Sequence, residues 1–348
     1  MRLSYAMLPD HPVDELIAAI ELADELGFYS VCGADETYHK DIWSIFAAAA
    51  RSTSRIRLTT DVTHVILKDP TIIAQQAATL DELSGGRVEL GYSIGNFGML
   101  EQYRAGDRAA RSLARLREAH HVLRTFLDEG SIDFDGEFYR YSGLFTSARP
   151  VQERMPIKIG AMRGPKSFEL AGELAEGMHQ ALAYSREAME YAAEHVRIGA
   201  ERAGRDWRDL DLGAWMVASV STDSQAAKDA ARVVAAFYVS AMPREQVERH
   251  GIDPESLRPI VEAFTAGDVA RGVALTTPEL GEKLSCAGTP AEILEQIRRD
   301  VEPSGFNHVI LALTDPYLVE TWSGQRIDGV PDLAGQLRLL HEEVLPEL

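Results

Sequence analysis

The chain has 348 residues, of which 45% are hydrophobic, and a formal net charge of −19 at pH 7. That charge argues against nucleic acid and anionic membrane as partners, although an anionic ligand could still bind through local amides or arginines. No apolar run approaches the roughly 20 residues of a membrane span, and the N-terminus has no signal-peptide pattern. Two cysteines are too few for a disulfide framework. We therefore expect a cytoplasmic protein with either two average domains or one large barrel.

The first half of the chain alternates short strands with helices. In its clearest unit, Asp69 and Pro70 start a helix as N-cap and first-turn residue, and Gly85 with Gly86 ends it. Runs of β-branched and aliphatic residues before and after this helix predict strands. The predicted strands are 2–7, 28–33, 56–60 and 88–92, and the predicted helices are 13–26, 42–51, 70–84 and 107–129.

The second half resumes this alternation after a predicted hairpin at 134–139, where Asp135-Gly136 between aromatic residues favours a tight turn. The acidic, proline-interrupted stretch 242–286 is predicted to be a helical insertion. The remaining predicted strands are 156–160, 177–182, 210–220 and 308–313, and the remaining predicted helices are 165–176, 188–203, 224–240, 290–300 and one that reaches the C-terminus.

Eight strand–helix units therefore follow one another, with extra material after the fourth and the seventh. No change in composition marks a domain boundary, so we predict one domain over 1–348: a (β/α)8 TIM barrel with insertions after strands 4 and 7. A doubly wound open sheet is the alternative. Such a sheet usually has a glycine-rich first turn, which residues 7–10 (MLPD) do not provide.

In a barrel, function collects on the loops that follow the carboxyl ends of the strands. Here these positions carry acids, histidines and glycines on neighbouring loops. They are Asp35, Glu36 and His39 after strand two, Asp61 to His64 after strand three, Ser93 to Asn96 after strand four, Ala161 to Pro165 after strand five, and His179 and Gln180 in strand six.

Each of these groups has a functional and a structural interpretation. The segment 163–166 is a phosphate site at a helix N-terminus or an ordinary helix cap with solvated cations. The acids and histidine after strand two are general acid–base groups or a solvated loop. His64 is a ligand contact or a core histidine. No His/Cys/Asp cluster has metal-ligand spacing, so no metal site is predicted.

One motif indicates a different chemistry. The residues GYSIG at 91–95 match the nucleophile elbow G-x-S-x-G, which would make Ser93 a nucleophile. An elbow needs a helix to begin at once, whereas 96–98 is predicted to continue as loop, and no glycine-rich oxyanion motif precedes it. A serine hydrolase is therefore a remote alternative.

With these loops in place, nearly the whole chain resembles the bacterial-luciferase-like superfamily, in its deazaflavin-dependent branch. That branch includes methylenetetrahydromethanopterin reductase and coenzyme F420-dependent glucose-6-phosphate dehydrogenase. The order and spacing of six segments together carry the resemblance: 34–36, 59–70, 83–91, 134–139, 156–164 and 288–292.

The resemblance implies a barrel that holds coenzyme F420 across its C-terminal mouth, with FMN as the alternative cofactor. It also implies a non-proline cis peptide at Asp61–Val62, so that Val62 presses on the ring. The cofactor-binding residues that it implies are Asp35, Asp61, Val62, Thr63, His64, Ser93, Gly95, Asn96, Gly160, Ala161, Met162, Arg163, Gly164, Pro165, His179 and Gln180.

The expected reaction is hydride transfer between the deazaflavin and an electron-poor C=C or C=N bond of a small-molecule or peptide-derived substrate. The chain has Asp35-Glu36 where the sugar-phosphate dehydrogenases of the branch carry Asp-His, and it lacks their substrate-phosphate cations, which argues against a sugar phosphate. Glu36 is the first candidate for the proton donor, with His39, Tyr92 and Asp35 as further catalytic candidates.

Two further expectations and two alternative functions complete the sequence analysis. The chain is expected to form a homodimer, and the insertion 242–286 is expected to roof the substrate side. An FMN-dependent monooxygenase with a partner flavin reductase is the main alternative function. A non-catalytic flavin-binding homologue is a more remote one.

Overall fold

The computed structural model describes residues 1–162 and 164–348, and within them it confirms the predicted alternation of strands and helices. The strands are β1 (Arg2–Met7), β2 (Ser30–Gly33), β3 (Arg57–His64), β4 (Val88–Ser93), β5 (Ser131–Asp135), β6 (Arg140–Phe145), β7 (Ile157–Ala161), β8 (Gly177–Ala181), β9 (Asp211–Val220), β10 (Cys286–Gly288) and β11 (His308–Leu313).

The α-helices surround these strands. They are α1 (Val13–Leu26), α2 (Ile42–Ala49), α3 (Pro70–Ser84), α4 (Phe97–Gln102), α5 (Ser112–Glu129), α6 (Pro165–Leu174), α7 (Arg186–Arg202), α8 (Ser224–Tyr238), α9 (Arg244–Arg249), α10 (Pro254–Thr265), α11 (Val269–Leu275), α12 (Pro278–Lys283), α13 (Pro290–Gln296), α14 (Pro316–Ser323) and α15 (Leu333–Glu343). A π-helical turn, Ile297–Val301, continues α13. Short 3-10 turns cover Gly106–Ala109, Trp207–Asp209, Val239–Ala241, Glu302–Ser304 and Leu345–Glu347.

Eight of the described strands form a closed parallel barrel. They are hydrogen-bonded in the order β9-β11-β1-β2-β3-β4-β7-β8, and β8 pairs again with β9 to close the ring. The strands β5 and β6 form the predicted hairpin, and β10 pairs with β9 beside the ring. The predicted TIM barrel, with insertions after the fourth and seventh barrel strands, is confirmed, and the open sheet is wrong.

The helix ends follow the chemistry of the sequence. Asp69 caps α3 by accepting a hydrogen bond from the Thr71 backbone N–H, and Gly85 ends the helix with φ +69°. Thr289 and Glu292 form a reciprocal capping box at the start of α13. Such local signals account for the helices that the sequence predicted correctly.

Three predictions about helix bounds were wrong in detail. The side chain of Asn96 accepts hydrogen bonds from the next backbone N–H groups and starts α4 at once, so 96–98 is a helix start and not a continuing loop. The helix predicted from residue 107 begins at Ser112. The predicted C-terminal helix is two helices, because Gly324 ends α14 with φ +71°.

The insertion 242–286 consists of α9 to α12 and packs on α8 and on the barrel. Arg232 of α8 donates hydrogen bonds to the carbonyls of Val273 (3.2 Å) and Thr276 (3.0 Å). Gln246 of α9 donates to the carbonyls of Ala181 (3.0 Å) and Leu182 (2.8 Å), at the carboxyl end of β8. None of the described helices is long and apolar enough to cross a membrane.

Candidate active site

The carboxyl ends of the barrel strands bring the predicted loops together around the Asp35 carboxylate. Its hydrogen-bond donors are Trp43 Nε1 (2.8 Å), Thr63 Oγ1 (2.6 Å) and Lys68 Nζ. Burial alone would raise the pKa of this carboxyl, but the hydrogen bonds outweigh burial and hold the pKa of Asp35 below its usual value. Asp35 is therefore a fixed anion that ties the end of β2 to β3.

The neighbouring Glu36 has the opposite character. Burial raises the pKa of its carboxyl, although the charge of His39 and a hydrogen bond from Asn96 oppose the shift. The Asn96 Oδ1 atom already accepts from the backbone N–H groups of Gly98 (2.9 Å) and Met99 (3.4 Å). The Asn96 side-chain nitrogen is therefore the atom available to donate to Glu36. Glu36 holds its proton to higher pH than an exposed glutamate does.

His39 is oriented by residues that the sequence analysis missed. Its Nδ1 atom lies 2.8 Å from Asp10 Oδ1, and the other Asp10 oxygen accepts from Trp322 Nε1 at 2.7 Å. The imidazole also stacks on the Trp322 ring, with the centroids 6.2 Å apart. If Nδ1 donates to Asp10, Nε2 is the atom left for a ligand. The position of Asp10, just after β1, was the available signal.

The predicted cis peptide between Asp61 and Val62 is present. A register shift of β3 against β4 accompanies it, between Thr60 and Thr63, so that the strand runs on to His64. Val62 packs over Gly160 of β7, which lies beyond β4 in the barrel, since a Cβ atom built on Gly160 would lie 2.6 Å from Val62 Cγ1. Glycine at 160 therefore makes room for the Val62 side chain.

A second close approach involves Gly95 and His64. Gly95 has φ +107°, and a Cβ atom there would lie 2.9 Å from the His64 Cβ atom. Its N–H donates to Ser93 Oγ at 3.0 Å. Burial lowers the pKa of the buried His64 imidazole, which favours its neutral form.

Five buried polar atoms of the predicted cofactor residues make no hydrogen bond within the described part of the chain. They are Asp61 Oδ2, His64 Nδ1, both ring nitrogens of His179 and Gln180 Oε1. A buried polar group without a partner costs about 1–3 kcal/mol, so such groups are rare in native proteins unless a ligand or water satisfies them. All of these atoms belong to residues at the carboxyl ends of the barrel strands, which indicates a ligand pocket there.

The predicted phosphate loop is only partly described, because Arg163 lies outside the described residues. Ala161 ends β7, Met162 follows it half-buried, and Gly164 precedes α6 without a side-chain cap. Lys166 is 69% exposed and pairs with Glu169 at 3.0 Å, so this lysine is engaged on its own helix. Backbone N–H groups of this turn remain as candidate anion donors.

Two residues do not fit the catalytic roles that the sequence suggested for them. Tyr92 is fully buried and donates to the Leu116 carbonyl, which argues against it as a proton donor. The Ser93 hydroxyl accepts from Gly95, and no described histidine forms a hydrogen bond with it. Although α4 does begin directly after the motif, Ser93 therefore lacks the base that a serine nucleophile needs.

Sequence analysis also missed a polar cluster inside the lower part of the barrel. His179, Asp211 and His308 offer ligand atoms within 4.8 Å of one another. Cations already pair with Asp211: the Lys158 ammonium group, which also donates to Glu89, and the Arg2 guanidinium at 3.2 Å. We therefore interpret the cluster as a buried ion network and not as a metal centre.

A family model described as luciferase-like monooxygenase matches residues 1–308. The chain belongs to this family. Its predicted membership in the luciferase-like superfamily is thereby confirmed.

Relatives of the luciferase-like chain cover it almost completely. The 5,10-methylenetetrahydromethanopterin reductase of Archaeoglobus fulgidus is 29% identical over 352 residues, with 100% of both chains covered. An F420-dependent glucose-6-phosphate dehydrogenase of Intrasporangium calvum is 28% identical over 320 residues, covering 85% of this chain and 88% of that protein. The structure of the coenzyme F420 dependent tetrahydromethanopterin reductase from Methanopyrus kandleri superposes with a TM-score of 0.87 at 26% identity, over 99% of each chain.

Proposed function

We propose that the chain is a coenzyme F420-dependent oxidoreductase. The observation that carries this proposal is the bulge of β3 between Thr60 and Thr63 at the barrel mouth, with Val62 seated over Gly160 and unpartnered polar atoms beside it. Two of the relatives above are named as F420-dependent, and each covers most of this chain.

The residues present fit a deazaflavin. Val62 offers an apolar surface to a flat ring, and His64 and Gln180 hold unpartnered polar atoms that suit its pyrimidine edge. The backbone of 161–165 suits the phosphate of the side chain. When bound, a deazaflavin supplies or accepts a hydride as a two-electron unit.

The protein's own residues supply the proton and the orientation. Glu36 is the proposed proton donor, because burial raises its pKa, and His39 is the second candidate through its Nε2 atom. Asp35 is held ionised by its three donors, so we assign it a positioning role. His64, Ser93, Gly95 and Asn96 are proposed to flank the cofactor.

The proposed substrate is a small molecule with an electron-poor C=N or C=C bond. Three half-buried aromatic side chains near Glu36 and His39 support a planar substrate. Tyr238 lies between Trp215 (centroids 5.4 Å apart) and Trp322 (6.3 Å). The methylene-pterin named for one relative is the first compound to try. Homodimerisation and a cytoplasmic location stay predictions.

Equilibrium binding tests this proposal against the FMN alternative. We expect fluorescence quenching of the apo-protein to show micromolar or tighter binding of the deazaflavin and at least about tenfold weaker binding of FMN, a difference of about 1.4 kcal/mol. Tighter binding of FMN would favour the monooxygenase, which oxygen uptake would then test. Binding of neither would leave the non-catalytic alternative.

Gly160→Ala tests the role of the bulge. The new methyl group would lie 2.6 Å from Val62 Cγ1, so the Val62 side chain must move. Overpacking of this kind costs about 1–3 kcal/mol, and we expect deazaflavin affinity to fall by about tenfold or more. Gly106→Ala is the matched control, because its Cβ atom would come no closer than 4.0 Å to a neighbour. Equal affinity in the two variants would contradict the assigned role of Val62.

A further inference from the structure

A continuous set of ionisable side chains runs through the barrel from the candidate site towards the amino ends of the strands. At its upper end, His179 Nδ1 lies 3.2 Å from Asp61 Oδ1. On the other side of the ring, His179 Nε2 lies 3.9 Å from Asp211 Oδ2. Asp211 in turn contacts Lys158 and His308. His179 thus connects the residue of the cis peptide with the ion network below it.

The two histidines of this set have different surroundings. His308 Nδ1 lies 3.0 Å from Asp211 Oδ1, and its Nε2 lies 2.6 Å from the Ser4 hydroxyl, which can donate to it. A neutral imidazole satisfies both contacts. His179, by contrast, faces a carboxylate oxygen with each of its nitrogens, and only the doubly protonated ring avoids turning a lone pair towards one of them.

The electrostatics of the surroundings agree with this assignment. Burial opposes a charge on His179, but the Asp61 charge and the interactions of the ring with the Asp211 and Asp61 carboxylates together outweigh burial and raise the pKa of the imidazole. Burial lowers the pKa of His308, in spite of Asp211. The charged and titratable groups that face His179 are Asp61 on the mouth side, and Asp211, Lys158 and His308 below it. Cys32 and Glu89 come next, beside Asp61 and Lys158 respectively.

We propose that His179 is a positioning residue of the cofactor pocket, a buried imidazolium that compensates the charge of the Asp61 carboxylate and orients it beneath the Val62 bulge. The inference rests on the proposed function, in that the pocket is taken to hold the deazaflavin. No bond is made or broken at His179. Its role is to cancel the Asp61 charge in a site that receives an anionic cofactor.

A charge-compensating His179 and a merely space-filling His179 predict different effects of the double variant on cofactor affinity. In His179→Gln, the Asp61 charge is no longer compensated, and we expect deazaflavin affinity at pH 6.5 to fall by about tenfold or more. The double variant Asp61→Asn/His179→Gln removes both charges and is expected to recover most of that loss. A double variant as weak as His179→Gln would overturn the proposal.

Nitrogen NMR of the apo-protein, labelled with 15N-histidine, gives a test that needs no cofactor. We expect the His179 ring to be doubly protonated at pH 6.5, and its signal is assigned by its loss in His179→Gln. His120 is the internal control, because burial lowers its pKa to about 4 and its Nδ1 lies 3.2 Å from the Tyr92 hydroxyl. A neutral His179 at this pH would overturn the proposal.

The thermal stability of the four apo-proteins in this cycle shows the sign of the pH dependence. A histidine whose pKa is raised on folding stabilises fully below its unfolded value of about 6.5, and this stability is lost as the pH rises through the folded value. The Asp61–His179 coupling in Tm is therefore expected to be larger at pH 6 than at pH 9. A wild-type protein that bound no deazaflavin would refute the proposed function, whereas the NMR and stability results would still decide the state of His179.

Discussion

Replacement of Glu36 by glutamine is expected to lower kcat for reduction by two to four orders of magnitude, about the contribution of one general acid. Glutamine keeps the size of the side chain and its contact with Asn96, but it has no proton to deliver. The wild-type rate is expected to fall as the pH rises through the raised pKa of Glu36, because the acid form is then lost. This limb of the pH profile is expected to be absent in the variant.

The measurement is the pH profile of kcat with reduced F420 and a substrate that the wild-type protein turns over. Cofactor affinity within about threefold of wild type would show that the loss lies in the chemical step. Glu101→Gln, an exposed glutamate of the nearby helix α4, is the control and is expected to leave the profile unchanged. If Glu36→Gln kept its rate and its basic limb, the assignment would pass to His39, which His39→Gln then tests.

The sequence was sufficient to predict helix ends and barrel strands, because short-range interactions determine them. Asp69, Pro70 and Gly85 set the ends of α3, and the aliphatic runs placed the barrel strands within a few residues. The cis bond before Val62 was expected from the family resemblance, because no local propensity predicts a non-proline cis peptide.

The candidate site was harder to predict, because its contacts join distant parts of the chain. Lys68 donates a hydrogen bond to the Asp35 carboxylate from 33 residues along the chain. Trp322 donates to the Asp10 carboxylate from 312 residues away. The sequence identified Asp35 and Glu36 as a pair of acids. Their opposite pKa shifts arise from these contacts and from burial, which only the folded chain shows.

The ion network was missed although the pattern contained a signal. Lys158 stands between two isoleucines in β7, and Glu89 stands between Val88 and Leu90 in β4. In a barrel ringed by helices, the aliphatic residues of such strands face the helices, so the alternating polar residues must point into the barrel. Applied to each strand, this rule would have placed Lys158, Glu89 and Asp211 in one interior layer.

Lys158→Met is expected to destabilise the apo-protein by about 3–5 kcal/mol at pH 7, because it leaves two buried carboxylates without their shared cation. The ammonium group donates to Glu89 and Asp211, and all three side chains are buried. Lys158→Met removes a cation and leaves a side chain of similar length, so little cavity is created. Urea unfolding measures the loss as a lower midpoint at unchanged slope.

The pH dependence separates this electrostatic loss from a packing defect. Although burial opposes it, Lys158 lowers the pKa of Glu89 to about 2, so the wild-type pair stabilises above the unfolded value of about 4.5 and loses this contribution as the pH falls towards 2. Without Lys158 the buried carboxylates bind protons more readily in the folded state than in the unfolded state, so Lys158→Met is expected to gain stability as the pH falls from 7 to 5.

Lys166→Met, which removes the exposed partner of Glu169, is expected to change stability by less than about 0.5 kcal/mol. A Lys158→Met protein that stayed within about 1 kcal/mol of wild type, or that lost stability on acidification as wild type does, would show that the buried ammonium does not hold the barrel interior together.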